Sequence, residues 1–171
     1  MRNFLPACAL SLAVLLAGCS SFGGNQQRMD LASVDLSSAL FAVDHPMSVE
    51  PTIVGPRVTY GVLDVTLVRG DAERVMAVLP PPAEGRSYAI YAFAPEDVPK
   101  VRAAATAGTV TALSVAPNLC TTNAARKDND VVTITAVLPG RGTLVVVPPE
   151  TLAALEARTG VEMPVCPGHS G

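Results

Sequence analysis

The sequence predicts an α+β domain, mainly an antiparallel β-sheet or sandwich of six to seven strands with two short helices. Three observations predict it. Apolar and polar residues alternate with a period of two, most clearly Val132, Ile134, Ala136 and Leu138 against Thr133 and Thr135. Turn residues separate such runs at hairpin length, as in Pro139-Gly140-Arg141-Gly142. Helix-start chemistry is concentrated in two places, Pro95-Glu96-Asp97 and Pro148-Pro149-Glu150.

Along the chain, residues 39–43 form a short apolar strand ended by Asp44-His45-Pro46, and residues 46–56 an irregular connection with three prolines. Residues 58–68 read as one long strand with Leu63, Val65 and Leu67 on one face and Asp64 and Thr66 on the other. The alternation changes parity against Val58 and Tyr60, which places a bulge or bend at Gly61. Arg69-Gly70-Asp71 reads as a hairpin turn into a strand at 73–79 rather than an adhesion motif, because Gly-Asp between strands is ordinary turn chemistry. Pro80-Pro81-Pro82 cannot donate to a ladder, so a loop runs to Gly85. Residues 87–94 are apolar on both faces, the pattern of a central covered strand. Asp97 is the expected N-cap of a helix with Pro99 in its first turn, running to Thr106 with Gly108 as its stop.

Strands follow at 110–115, 132–138 and 143–147, and residues 121–130 form an exposed loop carrying Arg126, Lys127, Asp128 and Asp130. Pro148-Pro149-Glu150 opens the second helix, in which Leu152 and Leu155 face the core and Gly160 is the end. Segments 89–105 and 144–159 each read strand, Pro-Glu, short helix. That fits either a repeated βα unit or two common ways of leaving a strand.

Ahead of this body lies a different kind of sequence. Arg2 precedes an apolar run over residues 4–16, relieved only by Pro6 and Ser11, and two small residues follow. These are the three regions of a secretory signal, residues 1–18. At ~1.5 Å per residue, a run of about thirteen falls short of the ~30 Å hydrocarbon core. The cut falls before a cysteine, and Leu16-Ala17-Gly18-Cys19 resembles the lipobox of bacterial lipoproteins. The resemblance covers the export segment alone. It implies that the Cys19 thiol receives a diacylglyceryl group, that Cys19 becomes the first residue of the mature chain, and that its amino group is acylated, typically with palmitate. Acyl chains at ~0.8 kcal/mol per buried CH2 then hold the protein to the membrane. Ser20 in place of Asp implies, by the same resemblance, delivery to the outer membrane facing the periplasm, with the cell surface also open. Residues 19–37 then read as a lipidated flexible tether reaching on the order of 20 Å, and residues 38–171 as a single globular β-rich domain.

Removing residues 1–18 leaves 153 of the 171 residues, enough for one core. Arg2 is the one charge lost, so the formal net charge moves from −3 to −4. An acidic chain with no Lys/Arg run lacks the electrostatic footprint for nucleic acid or for anionic headgroups. With no Trp and few other aromatics, it also lacks a stacking platform for bases or sugars.

Of four cysteines, Cys8 leaves with the signal and Cys19 is spent on lipid. Cys120 and Cys166 remain, in a compartment that oxidises thiols, and are expected to form a disulfide. Closing 46 positions, it would stabilise by about 4 kcal/mol on the loop-entropy account. Cys166 and His169, with Cys120 as a third donor, are the candidate metal ligands, copper or zinc being the ions such a site would take. An oxidised pair would abolish that site. His45 and His169 are the only histidines, and neither a Gly-x-Ser-x-Gly elbow nor a Ser-x-x-Lys is present to supply a hydrolase nucleophile. Glu96, Asp97 and Glu150 could pass for an acid/base set, but acidic residues at helix starts complement the helix dipole. No catalytic residue and no cofactor is assigned. The sequence therefore points to a lipid-anchored, noncatalytic envelope protein that binds a protein partner or helps assemble it. The alternatives are a ligand- or metal-binding domain, with its site on loops 44–56 and 80–85, and a hydrolase.

Overall fold

The computed structural model describes residues 27–28, 31–52, 54–61, 63–107, 112–122, 124–127, 129–160 and 162–168. In chain order the elements are β1 (Gln27–Arg28), a 3-10 turn (Leu31–Ser33), β2 (Leu40–Pro46), β3 (Val49–Pro51), β4 (Arg57–Tyr60), β5 (Leu63–Thr66), β6 (Val68–Arg69), α1 (Ala72–Met76), β7 (Arg86–Ala92), α2 (Val98–Thr106), β8 (Ala112–Ala116), β9 (Leu119–Thr121), β10 (Val131–Leu138), β11 (Gly142–Thr151) and α3 (Leu152–Thr159). The fold is α+β, with antiparallel sheets as the alternating runs require. One has five strands in the order β11-β10-β2-β7-β6, a second has four in the order β1-β8-β4-β5, and β3 pairs with β9.

Successive residues of β2 serve two cores. Phe41 and Val43 cluster with Ala89 and Tyr91 of β7, Val132, Ile134 and Ala136 of β10, and Val58, Val65 and Val115 of the four-stranded sheet. This is the interior between two sheets. Leu40 and Ala42 point the other way, with Ile90 and Val137, and Val75 of α1 covers them. The five-stranded sheet is thus buried on both faces at β2 and β7, as the two-sided apolar pattern of residues 87–94 requires. Phe41 and Phe93 meet edge to face at 5.4 Å. Helix α2 adds Val101 and Ala105, one turn apart on a single face, and α3 adds Leu152 and Leu155. Full burial of each such large side chain stabilises by about 1.5–3 kcal/mol.

Several elements differ from the sequence reading for identifiable reasons. The parity change at Gly61 is a hairpin turn and not a bulge: Tyr60 pairs with Leu63, and Gly61 has φ 66°. Residues 73–79 are not a strand, because the Asp71 carboxylate accepts from the Glu73 N–H and starts α1 over a run of helix formers. The first strand does not stop at Val43. It continues through Asp44, which Arg86 pairs at 2.8 Å, and through His45, whose ring nitrogen is satisfied when buried. The connection after it contains β3.

Pro148, Pro149 and Glu150 belong to β11 rather than to a helix start; Thr151 caps α3 by accepting from the Ala154 N–H. Prolines are tolerated there because β11 is an edge strand and its pairing with β10 slips register on either side of Ile134. The two strand–helix segments therefore differ, since Pro95 and Glu96 lie between β7 and α2. Asp97 flanks α2 as expected but pairs with Lys100 instead of capping it with its side chain. Leu31, Val34 and Leu36 are core residues, so the folded body begins by residue 31 rather than at residue 38. Cys19, the earlier tether residues, Gly108 and Val110 lie outside the described residues.

The two sheets are joined at Leu67, the one residue between β5 and β6. Its N–H donates to the Pro56 carbonyl at 2.9 Å. A Cβ on Gly55 would lie 1.9 Å from the Leu67 carbonyl oxygen and 3.1 Å from Tyr91 Cδ1. Gly55→Ala is therefore expected to cost about 3 kcal/mol, lowering the melting temperature by about 10 °C in calorimetry. Tyr91 is fully buried and its hydroxyl has no hydrogen-bond partner among the described residues. Tyr91→Phe removes that uncompensated polar group, and urea unfolding is expected to show a gain of about 1 kcal/mol.

Candidate functional site

A largely apolar groove of about 360 Å³ has walls that include Val54, Pro117, Leu119, Leu155, Met163 and Pro164, with Glu162 at its margin. Four separate chain segments build it, and each is tied down by backbone groups. The Thr52 N–H donates to the Asn118 carbonyl at 2.9 Å, and the Asn118 amide donates to the Gly55 carbonyl at 2.8 Å. The segment after α3 runs beside β9: the Thr121 N–H donates to the Pro164 carbonyl at 2.8 Å, and the Cys166 N–H donates to the Thr121 carbonyl at 2.9 Å. Arg126 grips both carboxylate oxygens of Glu156 at 3.0 and 3.1 Å, and Glu156 also accepts from the Met163 N–H. The Arg126 guanidinium, then the Met163 N–H, holds the Glu156 carboxyl below the ordinary carboxylate range. This loop is thus part of the structure and not merely solvated. Lys127 adds its N–H to the Asp130 carboxylate at 3.0 Å, while Asp128 lies outside the described residues.

Cys120 and Cys166 are joined by a disulfide, with Cα atoms 4.9 Å apart, which pins the segment after α3 onto β9. The Cys166 sulfur is consequently bonded to carbon and sulfur and does not stand as a thiolate. That removes the donor on which the Cys166 and His169 metal site depended. His169 lies outside the described residues. Among the described residues, no group of three His, Cys, Asp or Glu side chains could hold a metal ion.

Loops 44–56 and 80–85 do meet at one end of the five-stranded sheet, where the Met47 N–H donates to the Gly85 carbonyl at 3.1 Å. The groove draws Thr52 and Val54 from the first loop only. Near that sheet end His45 is buried, and its Nδ1 lies 2.9 Å from the Val49 carbonyl and 3.1 Å from that of Pro46. Carbonyls only accept, so Nδ1 is assigned the hydrogen. The Ser48 hydroxyl donates to Asp130 at 2.6 Å, and no hydrogen bond joins it to His45 among the described residues. The arrangement is a satisfied polar corner and not a nucleophile with its base.

The acidic candidates are likewise separated. Asp97 pairs with Lys100, and Glu150 with Arg158 through two bonds of 2.8 and 2.9 Å. In the Arg-Gly-Asp tripeptide, the Arg69 guanidinium lies 4.8 Å above the Tyr91 ring, the Gly70 N–H donates to the Ile90 carbonyl, and Asp71 caps α1. It is a strand-to-helix corner in which all three residues are used. The Ser48–Asp130 and Arg126–Glu156 pairs join positions 82 and 30 apart, and no sequence pattern marks them.

Burial pushes the His45 imidazole below its ordinary value, because the charged ring would lose its hydration. The folded state then binds fewer protons than the unfolded state. Stability is present in full above the ordinary imidazole range and is lost as pH falls through that range towards the depressed value. Melting temperature is expected to fall between about pH 7.5 and about pH 5.5, and to fall less in His45→Asn, whose amide retains a donor. Comparison with known protein families, curated proteins and solved structures finds no match to this chain.

Proposed function

We propose that the chain is an envelope lipoprotein, held to the outer membrane through acyl chains on Cys19 and facing the periplasm, whose β-rich body serves as a noncatalytic binding or assembly accessory. The observation that carries this reading is the Cys120–Cys166 disulfide. Disulfides persist in exported proteins and are rare where glutathione keeps thiols reduced. With that pair closed and Cys8 removed with residues 1–18, Cys19 is the sulfur left over for lipid. The lipobox resemblance and Ser20 support the anchor and its destination.

The noncatalytic part of the reading is supported by how polar groups are used. His45, Ser48, Asp130, Glu150 and Glu156 each bind a structural partner. A site for acid/base work needs such groups to converge on an open position instead. A partner, rather than a substrate, is what such a surface is suited to meet.

Mass spectrometry of the chain purified from membranes tests the anchor. The tryptic peptide 19–28 is expected to carry a diacylglyceryl group and an amide-linked acyl chain, and both are expected to be lost in Cys19→Ser. A peptide of unmodified mass would overturn the reading. For the accessory role, affinity isolation from crosslinked membranes is expected to return a stoichiometric protein partner, and its absence across several conditions would count against assembly.

A further inference from the structure

We propose that the groove lined by Val54, Leu155, Glu162 and Met163 docks an extended segment of a partner protein in which an apolar side chain is followed directly by a lysine or arginine. The proposal rests on the accessory role given above and names the chemistry of the partner in that role. The apolar requirement comes from the walls. Val54 is 60% exposed, while Leu119 and Leu155 are core residues, so an occupant would rest on the interior itself. The polar amide and hydroxyl there are already engaged, Asn118 with the Gly55 carbonyl and Thr52 with the Val54 carbonyl. An apolar cavity of about 150 Å³ takes benzene, so this groove has room for one large side chain.

The cationic requirement comes from Glu162. Arg126 spends two guanidinium nitrogens on Glu156, at 3.0 and 3.1 Å. Its charge is felt at Glu162, but no ion pair or hydrogen bond joins the two among the described residues. Once the Arg126–Glu156 pair is set aside, a carboxylate at the rim of an apolar groove is left uncompensated. A neighbouring cation on the occupant is its complement, and the formal net charge of −3 on the chain has the same sign as this rim.

The backbone at the groove favours a polypeptide over a small amphiphile. Thr121 pairs in parallel with Val165, its N–H bonded to the Pro164 carbonyl and its carbonyl to the Cys166 N–H. In that pattern the Val165 N–H and carbonyl are directed away from β9, and neither makes a backbone hydrogen bond among the described residues. Val165 directly follows the wall residue Pro164, and its side chain is 56% exposed. An extended chain brings a complementary donor and acceptor together with alternating side chains. Pro167 has no N–H to prolong this margin, so the main-chain pairing is short and the side chains must supply the selectivity.

NMR titration of the full chain, with methyl groups of Val, Leu and Met labelled, tests the docking. The probes are capped hexapeptides Gly-Ser-Phe-Arg-Ser-Gly, the same peptide with Gln or Glu in place of Arg, and the same peptide with Ala in place of Phe. The Phe-Arg peptide is expected to shift the methyls of Val54, Leu119 and Met163. It is expected to bind about threefold more tightly than the Phe-Gln peptide, with the Phe-Glu peptide weaker still. The Ala-Arg peptide is expected to lose about tenfold or more. Glu162→Gln is expected to abolish the preference for Arg over Gln, and Val54→Ser to weaken every Phe peptide. Both positions are exposed, so neither substitution disturbs the interior. Equal binding of the Arg and Glu peptides, a preference unchanged in Glu162→Gln, or shifts confined to methyls elsewhere would overturn the proposal. So would groove shifts that follow the concentration of the protein alone, as a second copy in the groove would produce. The crosslinking isolation reads the accessory role separately. A stoichiometric partner whose crosslinks avoid the groove overturns the docking alone, and the peptide preference without any membrane partner overturns the accessory role alone.

Discussion

Leu67 is where the chain leaves one sheet and enters the other. Thr66 pairs in the four-stranded sheet and Val68 in the five-stranded one, so a single residue must turn the ladder through the corner while staying buried. The corner closes because Gly55 has no side chain: the Leu67 carbonyl occupies the space a Cβ would need, and Tyr91 fills the third side. The relative placement of the two sheets, and with it the interior holding Phe41, Val58 and Ile134, follows from this approach. Interiors packed at crystal-like density leave no slack to absorb a displacement here.

What could be read in the sequence was what depends on neighbours along the chain. The inward faces of β10 and β5 follow from period two, Pro99 marks the first turn of α2, and Gly160 ends α3 in the left-handed conformation its position suggests. The disulfide was legible by elimination, because the expected signal and lipid site leave two unassigned cysteines. Misreadings arose where a local signal has two meanings that only the tertiary structure separates. Gly61 interrupts an alternation equally well as a bulge or as a hairpin. Pro148-Pro149 begins a helix in isolation and ends an edge strand in this sheet. The groove was illegible for a stronger reason: its walls come from residues near 54, 117, 155 and 163, each of ordinary local type.

The polar residues show a consistent use. Arg126, Arg86 and Arg158 each bind a carboxylate that lies on another element or across an element boundary, so they fasten loops and helices to the sheets. Partly exposed pairs of this kind contribute about 0.2–1 kcal/mol each, small beside the apolar interior. Their role is to fix where the loop after β9 and the segment after α3 lie. The groove keeps its shape because the Arg126–Glu156 pair, the Met163 N–H and the disulfide all restrain the same stretch of chain.

Two prolines side by side on β11 also decide what that margin can do when copies of the protein crowd together. A bare strand margin offers a row of donors and acceptors on which a second molecule can stack its own ladder, the first step of fibril growth. Pro148 and Pro149 have no N–H to offer, and the register slips around Ile134 bend the same stretch away from the straight geometry that stacking needs. The margin that looks least regular is thus a poor template for the ladder of a second copy.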